Sequence, residues 1–339
     1  MATLSVVNPT LLDWAKTRDP DGKTADIVEM LAQTNSALDD MVMVEGNLPT
    51  GHQTTIRTGL PTSYYRAINA GTPASKATTA QVVENAAMLE SRSHVDVKLA
   101  KLQDDVGAYR LQEARAHLEG MAQTQATTLF YGAATSPEEY VGLANRYANL
   151  TADANSDNVI DAGGASTDNA SVYLIGWGSN TIHGIFPKGS MAGLQHEDLG
   201  IDDVQDASGN DYRAYKDLFC WDNGLCVADW RYGVRICNID ISDLVGQTGS
   251  QASTASTAII KLMARAIDHL PSVTNVKPCF YVNRTVASHL RVAAMDKSAS
   301  AVMIEPAVNQ FGATIHQLTF LGIPVRLVDA LTNAEAEVT

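Results

Sequence analysis

A chain of 339 residues, 45% hydrophobic and 18% charged, has the length for two or three domains at ~100–200 residues each. Its apolar content excludes wholesale disorder. The formal net charge is −14, and Lys and Arg are scattered singly, so no basic stripe is present for gripping a phosphate backbone.

Met1–Asp19 has no basic start followed by an apolar stretch, which argues against a secretory signal. No apolar run approaches the ~20 residues that span a bilayer. The expectation is a soluble chain of cytosolic origin with no membrane partner.

Residues 1–50 read as an N-terminal arm with one short helix. Thr24 is placed as its N-cap, and Asp26, Ile27, Met30 and Leu31 follow at helical spacing. Asn47, Pro49 and Gly51 then break the chain. From His52 to about Asp96 the sequence is mostly polar. Thr54–Arg57 and Thr79–Ala86 are strand-compatible, and between them lie Gly59, Pro61, Gly71, Pro73 and Ser75. This pattern predicts a long two-stranded arm. An isolated hairpin is marginal in water, so the arm needs another surface, and a second subunit is the economical candidate.

Between about Asp104 and Tyr131 the period changes to that of a helix. Leu111, Ala114, Leu118, Met121, Ala122 and Leu129 fall close to one face, with Arg110, Glu113, Arg115 and Glu119 on others. No Pro interrupts the stretch, so a helix of about 27 residues, roughly 40 Å long, is expected. A break follows at 132–139, and then an Asp/Asn/Ser/Gly-rich loop at 151–170. Short strands are predicted at Val172–Trp177, His183–Pro187, Leu225–Ala228, Val234–Ile239, Cys279–Val282 and Ile323–Val328. Helices are predicted from about Ser253 to Leu270 and from Arg284 to Met295. The strand spacing is too irregular for a repeated βαβ unit, which leaves a mixed α+β chain.

Motifs for chemistry are sparse. Gly176-Trp177-Gly178 has Thr181 where a dinucleotide fingerprint needs its third glycine. Lys188-Gly189-Ser190 resembles a nucleophile elbow only in composition. Cys220, Cys226, Cys237 and Cys279 lack C-x-x-C spacing, and three of them alternate with apolar residues as buried thiols do. His183 and His196 are too far apart for a helical ligand pair. The segment Asp153–Asp161 sets Asp153, Asn155, Asp157 and Asp161 at positions 1, 3, 5 and 9 of a calcium-loop pattern, with Ile160 aliphatic as such loops require. Asn158 stands in place of the turn Gly, and Gly164 in place of the closing Glu. A solvated Asx-rich turn is the simpler reading. No cofactor is expected.

Several stretches carry a resemblance. The helix running into Leu129-Phe130-Tyr131-Gly132 and then Ser136-Pro137-Glu138-Glu139-Tyr140-Val141-Gly142-Leu143 resembles a helix exit in tailed-phage major capsid proteins of the Hong Kong 97-type fold. Val172–Trp177, Gly184-Ile185-Phe186-Pro187-Lys188-Gly189, Trp221-Asp222-Asn223-Gly224-Leu225 and Asp229-Trp230-Arg231-Tyr232 resemble the variety found in short-tailed phages. Gly322-Ile323-Pro324-Val325-Arg326 with Asp329-Ala330 is similar to the family's closing strand.

The resemblance implies an α+β fold with an N-terminal arm (1–50) and an extended hairpin arm (51–98). It implies a peripheral domain with the spine helix (99–145, with a second segment near 300–339) and an axial domain (146–300). It also implies a non-enzymatic subunit of hexamers and pentamers, assembled in the host cytoplasm with a scaffolding protein, a portal and a cementing protein. The shell would enclose DNA without reading its sequence, for which an acidic, non-adhesive container is suited. The short segment before residue 50 suggests a separate scaffold or prior processing. Inter-subunit contacts are expected at Arg57, Arg66, Lys76 and Arg92, opposite acids such as Asp104, Asp105, Glu113 and Glu119. Some capsids join an arm Lys covalently to a neighbour's Asn. Lys76 lies near the expected arm tip, and an ordinary solvated lysine is the simpler reading. A tail or decoration protein would share β-rich arms and the lack of motifs, but the long helix after the arm favours the shell. A metal-dependent or hydrolytic enzyme finds no convergent constellation.

Overall fold

The computed structural model describes residue 9 and residues 32–102, 105–206, 208–245, 250–295, 302–308 and 314–339. The expected helix after Thr24 and the expected contact residue Asp104 lie outside the described residues. Among the described residues fourteen strands appear in chain order. They are β1 (Met43–Glu45), β2 (Gly51–Gly59), β3 (Thr78–Asn85), β4 (Ala87–Asp96), β5 (Val159–Asp161), β6 (Asn169–Trp177), β7 (Ile182–Phe186) and β8 (Gln195–Gln205). After these come β9 (Asp211–Val227), β10 (Gly233–Asp240), β11 (Lys277–Val282), β12 (Val302–Val308), β13 (Thr314–Phe320) and β14 (Ile323–Leu327). The long helices are the spine helix Val106–Tyr131, Ser250–Asp268 and Arg284–Met295.

The centre is a mixed sheet in the order β12-β13-β14-β11-β6-β7-β9-β4, with β10 beside β6 and β8 beside β9. Strand β6 is buried along its whole length because both of its faces are covered. Side chains alternate across a strand, so Ala170, Val172 and Leu174 enter one core while Tyr173, Ile175 and Trp177 enter the other. Strand β11 divides in the same way, with Phe280 and Val282 on one side and Cys279 and Tyr281 on the other.

The first core is closed by Ile259, Met263 and Ala266 from one helix and by Val286, Ala287 and Leu290 from the next. Both sets recur at helical spacing, which gives each helix one apolar stripe. The second core is closed by Leu129 and Phe130 at the end of the spine helix, by Tyr140, Leu143 and Tyr147 just after it, and by Ala37 and Met41.

The spine helix starts where Asp105 caps it, accepting hydrogen bonds from the backbone N–H of Gly107 and Ala108 at 2.8 and 3.2 Å. Its apolar face differs from the expected one. Leu111 is exposed, and the buried residues are Tyr109, Met121, Gln125, Ala126, Leu129 and Phe130. The last turns close the second core, whereas the first half meets β4 and β9 through Tyr109, Arg110 and His117, so no single apolar stripe runs the length of the helix. The exit is tight. Gly142 N–H bonds to the Gly132 carbonyl at 2.9 Å, and a Cβ on either glycine would collide with backbone of the same turn. Glycine is required there because only it lets the two backbones approach so closely.

The expected strands at 172–177, 183–187, 234–239, 279–282 and 323–328 and the two later helices are all present within a few residues of their expected bounds. The stretch before Asp96 holds a further strand, β4, that pairs with β9 from Ala87↔Asn223 to Asp96↔Ala214. Leu225–Ala228 is the end of the 17-residue β9 and not a separate strand.

Candidate assembly surfaces

Strands β2 and β3 form a two-stranded sheet of their own, in antiparallel register from Gly51↔Asn85 to Gly59↔Thr78. Beyond them residues 60–77 are exposed throughout. This tip carries Leu60, Tyr64, Tyr65 and Ile68, with Leu60 at 78% and Ile68 at 91% exposure. Soluble monomers seldom display large apolar side chains in one place without a partner for them.

The base of the arm is anchored to its own subunit. Arg146 donates two hydrogen bonds to the Glu84 carboxylate, at 2.7 and 2.6 Å. The Asn47 side chain exchanges bonds with the backbone of Gln53 at 2.8 and 2.7 Å. The arm is thus held at its root and free along its length.

Of the residues expected to meet neighbours, Arg57, Arg66 and Lys76 are exposed on the arm, and among the described residues no carboxylate pairs with them. Arg92 is exposed on β4, 3.6 Å from Glu90. Asp105 is occupied in capping the spine helix. Glu119 accepts bonds from the Gln33 backbone N–H at 2.9 Å and from the Gln123 side chain at 2.8 Å. Glu113 is half-buried and has a partner within the subunit. The arm thus offers unpaired cations, whereas Asp105 and Glu119 are engaged internally.

A second projection, the β8–β9 hairpin, is acidic along Glu197, Asp198, Asp202, Asp203, Asp206 and Asp211. Arg110 of the spine helix reaches Asp198 at 2.9 Å and Asp217 at 2.8 Å, and so fixes the hairpin to the helix. The hydrogen bond from Arg110 holds the Asp198 carboxyl below the usual carboxylate range, and Lys216 does the same for Asp202. Leu199 and Ile201 are exposed on the same hairpin.

The loop with the calcium-like pattern uses its side chains elsewhere. Asp153 accepts from Asn149 at 3.1 Å, and Asn155 donates to the Arg146 carbonyl at 2.7 Å. Asp161 accepts from Gly163 N–H and from the Asn238 amide, both at 2.9 Å. Asp157 sits in the short turn Ser156–Asn158. The carboxylates of Asp153, Asp157 and Asp161 do not converge on one point. Thr181 closes the Gly176–Gly178 turn by donating to the Gly176 carbonyl at 2.8 Å, which gives those glycines a structural role. Cys226, Cys237 and Cys279 are buried free thiols, and Cys220 is half-buried. Among the described residues, no helix is long and apolar enough to cross a membrane.

A hairpin arm rooted in its subunit with apolar side chains at its far end, then a spine helix, then a sheet covered on both faces, define a shell-forming subunit of the Hong Kong 97 type. Comparison with known proteins agrees. The model of the family "Major capsid protein GP7" matches residues 19–339, and the chain belongs to that family of phage structural proteins, which are shell subunits and not enzymes. A chain in the structure of bacteriophage Epsilon15 is similar at 29% identity over 100% of both chains, with a TM-score of 0.72. The capsid of bacteriophage JBD30 has the same fold at 10% identity, over 96% of this chain and 99% of that one, with a TM-score of 0.50. No curated protein matches the chain.

Proposed function

We propose that this major capsid protein builds an icosahedral shell from hexamers and pentamers, with each extended arm lying on an adjacent subunit, and that the shell encloses double-stranded DNA. The observation that carries this reading is the arm tip, where Leu60, Tyr65 and Ile68 are exposed at the far end of a hairpin whose contacts with its own subunit lie near its root. Burial of apolar surface contributes about 25 cal/mol per Å². A tip seated on a neighbour would recover that stabilisation in every subunit of a closed assembly.

Arg57, Arg66 and Lys76, and Arg92 on the body, are the cations such a seat would pair with acids of the neighbour. The β8–β9 hairpin supplies exposed carboxylates suited to receive them. In the division this reading favours, 51–98 is the arm together with β4, the strand by which it rejoins the central sheet, 99–145 the peripheral domain with a later segment near 300–339, and 146–300 the axial domain. Scaffolding, portal and cementing proteins would complete the particle. Lys76 is the arm lysine available for a covalent link to a neighbour, and a single monomer band after boiling particles in detergent would exclude that link.

The experiment is negative-stain electron microscopy with sedimentation velocity on the full chain, expressed alone and with its scaffold. Closed shells or capsomer rings support the reading. A protein that remains monomeric with the scaffold present would overturn it.

A further inference from the structure

His52, His183 and Cys226 meet where the arm joins the body. His52 lies on β2, at the root of the arm. His183 on β7 and Cys226 on β9 are direct cross-strand partners, so their side chains share one face of the sheet. One donor atom from each residue lies within 4.8 Å of the other two. The two imidazoles stand edge to face, with ring centroids 5.7 Å apart.

Burial makes this arrangement unusual. His183 is 1% exposed and Cys226 is 0% exposed. Among the described residues, neither ring nitrogen of His183 has a hydrogen-bond partner, and neither does Nδ1 of His52. Buried polar atoms are nearly always paired, and each exception calls for a cause. The Cys226 sulfur has the Thr54 hydroxyl at 3.6 Å. Thr54 is two residues beyond His52 on β2 and therefore on the same face. A cleft of about 710 Å³, lined by His52, Thr54, His183 and Asp229 among others, leads from the cluster to solvent.

We propose that His52, His183 and Cys226 form a binding site for a divalent cation of the zinc class, and that the bound ion fastens the root of the extended arm to the body. Two imidazoles and a thiolate are the donors that Zn²⁺ prefers, whereas Ca²⁺ and Mg²⁺ require oxygens. Bond lengths of ~2.0–2.3 Å would set the donor atoms about 3.3–3.7 Å apart. Closure therefore needs only an ångström or so of side-chain movement, and His52, being half-buried, has room to make it. Binding would release the Cys226 thiol proton to solvent, with water or the Thr54 hydroxyl as fourth ligand. Because β2 supplies one ligand and β7 and β9 the other two, the ion would cross-link arm and body without a covalent bond.

The test uses the untagged full chain, stripped with chelator and titrated with Co²⁺ alone and then with Zn²⁺. One equivalent of Co²⁺ should bind per subunit, with the visible bands of a tetrahedral site and a near-ultraviolet thiolate-to-cobalt band, and Zn²⁺ should displace it. Cys226→Ser should abolish the thiolate band. His52→Ala, at a half-buried position where folding is little disturbed, should weaken binding at least tenfold, and Cys220→Ser should leave both readouts unchanged. Zn²⁺ should slow hydrogen exchange in β2 of the natural chain and not in His52→Ala. The site is overturned if no thiolate band forms, or if His52→Ala binds as tightly as the natural chain. Binding without any change of exchange in β2 would overturn the fastening role.

Discussion

The Arg235 guanidinium on β10 meets the Glu335 carboxylate at 2.8 Å inside the protein, with the side chains only 5% and 6% exposed. Arg235 also donates to Ser171 Oγ at 3.0 Å and to the carbonyls of Ala144 and Tyr147 at 3.1 and 2.9 Å. Glu335 in turn accepts from Tyr131 Oη at 2.6 Å and from Ser171. One pair thus joins the C-terminal segment, the central sheet and the exit of the spine helix. The low dielectric around Glu335 also pushes the Tyr131 phenol well above its usual range, burial being the main cause.

Removing one member of such a pair leaves the other charged and buried, which typically costs ~3–5 kcal/mol. Glu335→Ala should lower the unfolding free energy of the unassembled subunit in urea by that amount, and Glu335→Gln by less, since the amide still accepts one bond. Equal midpoints for Glu335→Ala and the natural chain would show that the pair contributes no net stability.

The Arg146–Glu84 clamp makes a different prediction because it restrains an arm and not a core. Its two parallel bonds need the planar guanidinium fork, which Lys cannot reproduce. Arg146→Lys should keep the charge and the fold yet loosen the root of β3. Trypsin should then cut faster at Arg57, Arg66 and Lys76, which are exposed already. The expected change is several-fold in cleavage rate with a loss of about 1–3 kcal/mol in stability. An unchanged rate at all three positions would count against the clamp.

Which parts of this architecture were legible in the sequence follows from how each part is buried. The arm was legible because polar strands flanking a Gly/Pro/Ser-rich tip have nothing of their own to bury. The helices closing the first core were legible because one stripe of each meets the sheet, and Ile259, Met263 and Ala266 keep strict spacing. Strand β6 could be read as an apolar run because both of its faces are covered. By contrast β8 is exposed along nearly its whole length, so no alternation marked it, and β4 was absorbed into the polar arm because its covered face includes the polar Ser91 and Ser93. Leu111 misled because the first half of the spine helix meets β4 and β9 partly through polar side chains such as Arg110 and His117, which no apolar stripe marks. Three elements bring His52, His183 and Cys226 together, and only the β7–β9 register, a non-local feature, could have revealed them.

A pH response is built into the contact between the spine helix and β9. His117 bonds Ser91 Oγ at 2.7 Å and stacks on Phe219. Burial lowers its pKa, with Asp217 opposing, and burial also lowers that of His94 on β4, assisted by Lys216. The sign is fixed by linkage. The unfolded chain takes up these protons first, so the stabilising contribution is fully present above the ordinary histidine value of ~6.5. It is lost as pH falls through the depressed folded values. Denaturant midpoints should therefore drop between ~pH 7.5 and ~5, and His117→Gln, which still reaches Ser91, should show a shallower drop. The same slope in the variant would place the response elsewhere.

The arm tip separates stability of the subunit from stability of the shell. Tyr65 and Ile68 touch almost nothing in their own subunit, and substitutions at such positions usually change folding stability by less than ~0.5 kcal/mol. If their apolar surface is seated on a neighbour, each loses roughly 1.5–3 kcal/mol of transfer stabilisation when replaced by Ser, and the loss recurs in every subunit. The double variant Tyr65→Ser, Ile68→Ser should therefore keep the thermal midpoint of the natural subunit and fail to form closed particles under conditions in which the natural chain forms them. Trypsin gives an independent reading, since seating the tip should protect Arg66 and Lys76 in natural particles while both remain open to cleavage in free subunits. Particles of normal yield and form from the double variant would place the shell's cohesion in other surfaces, the acidic β8–β9 hairpin first among them.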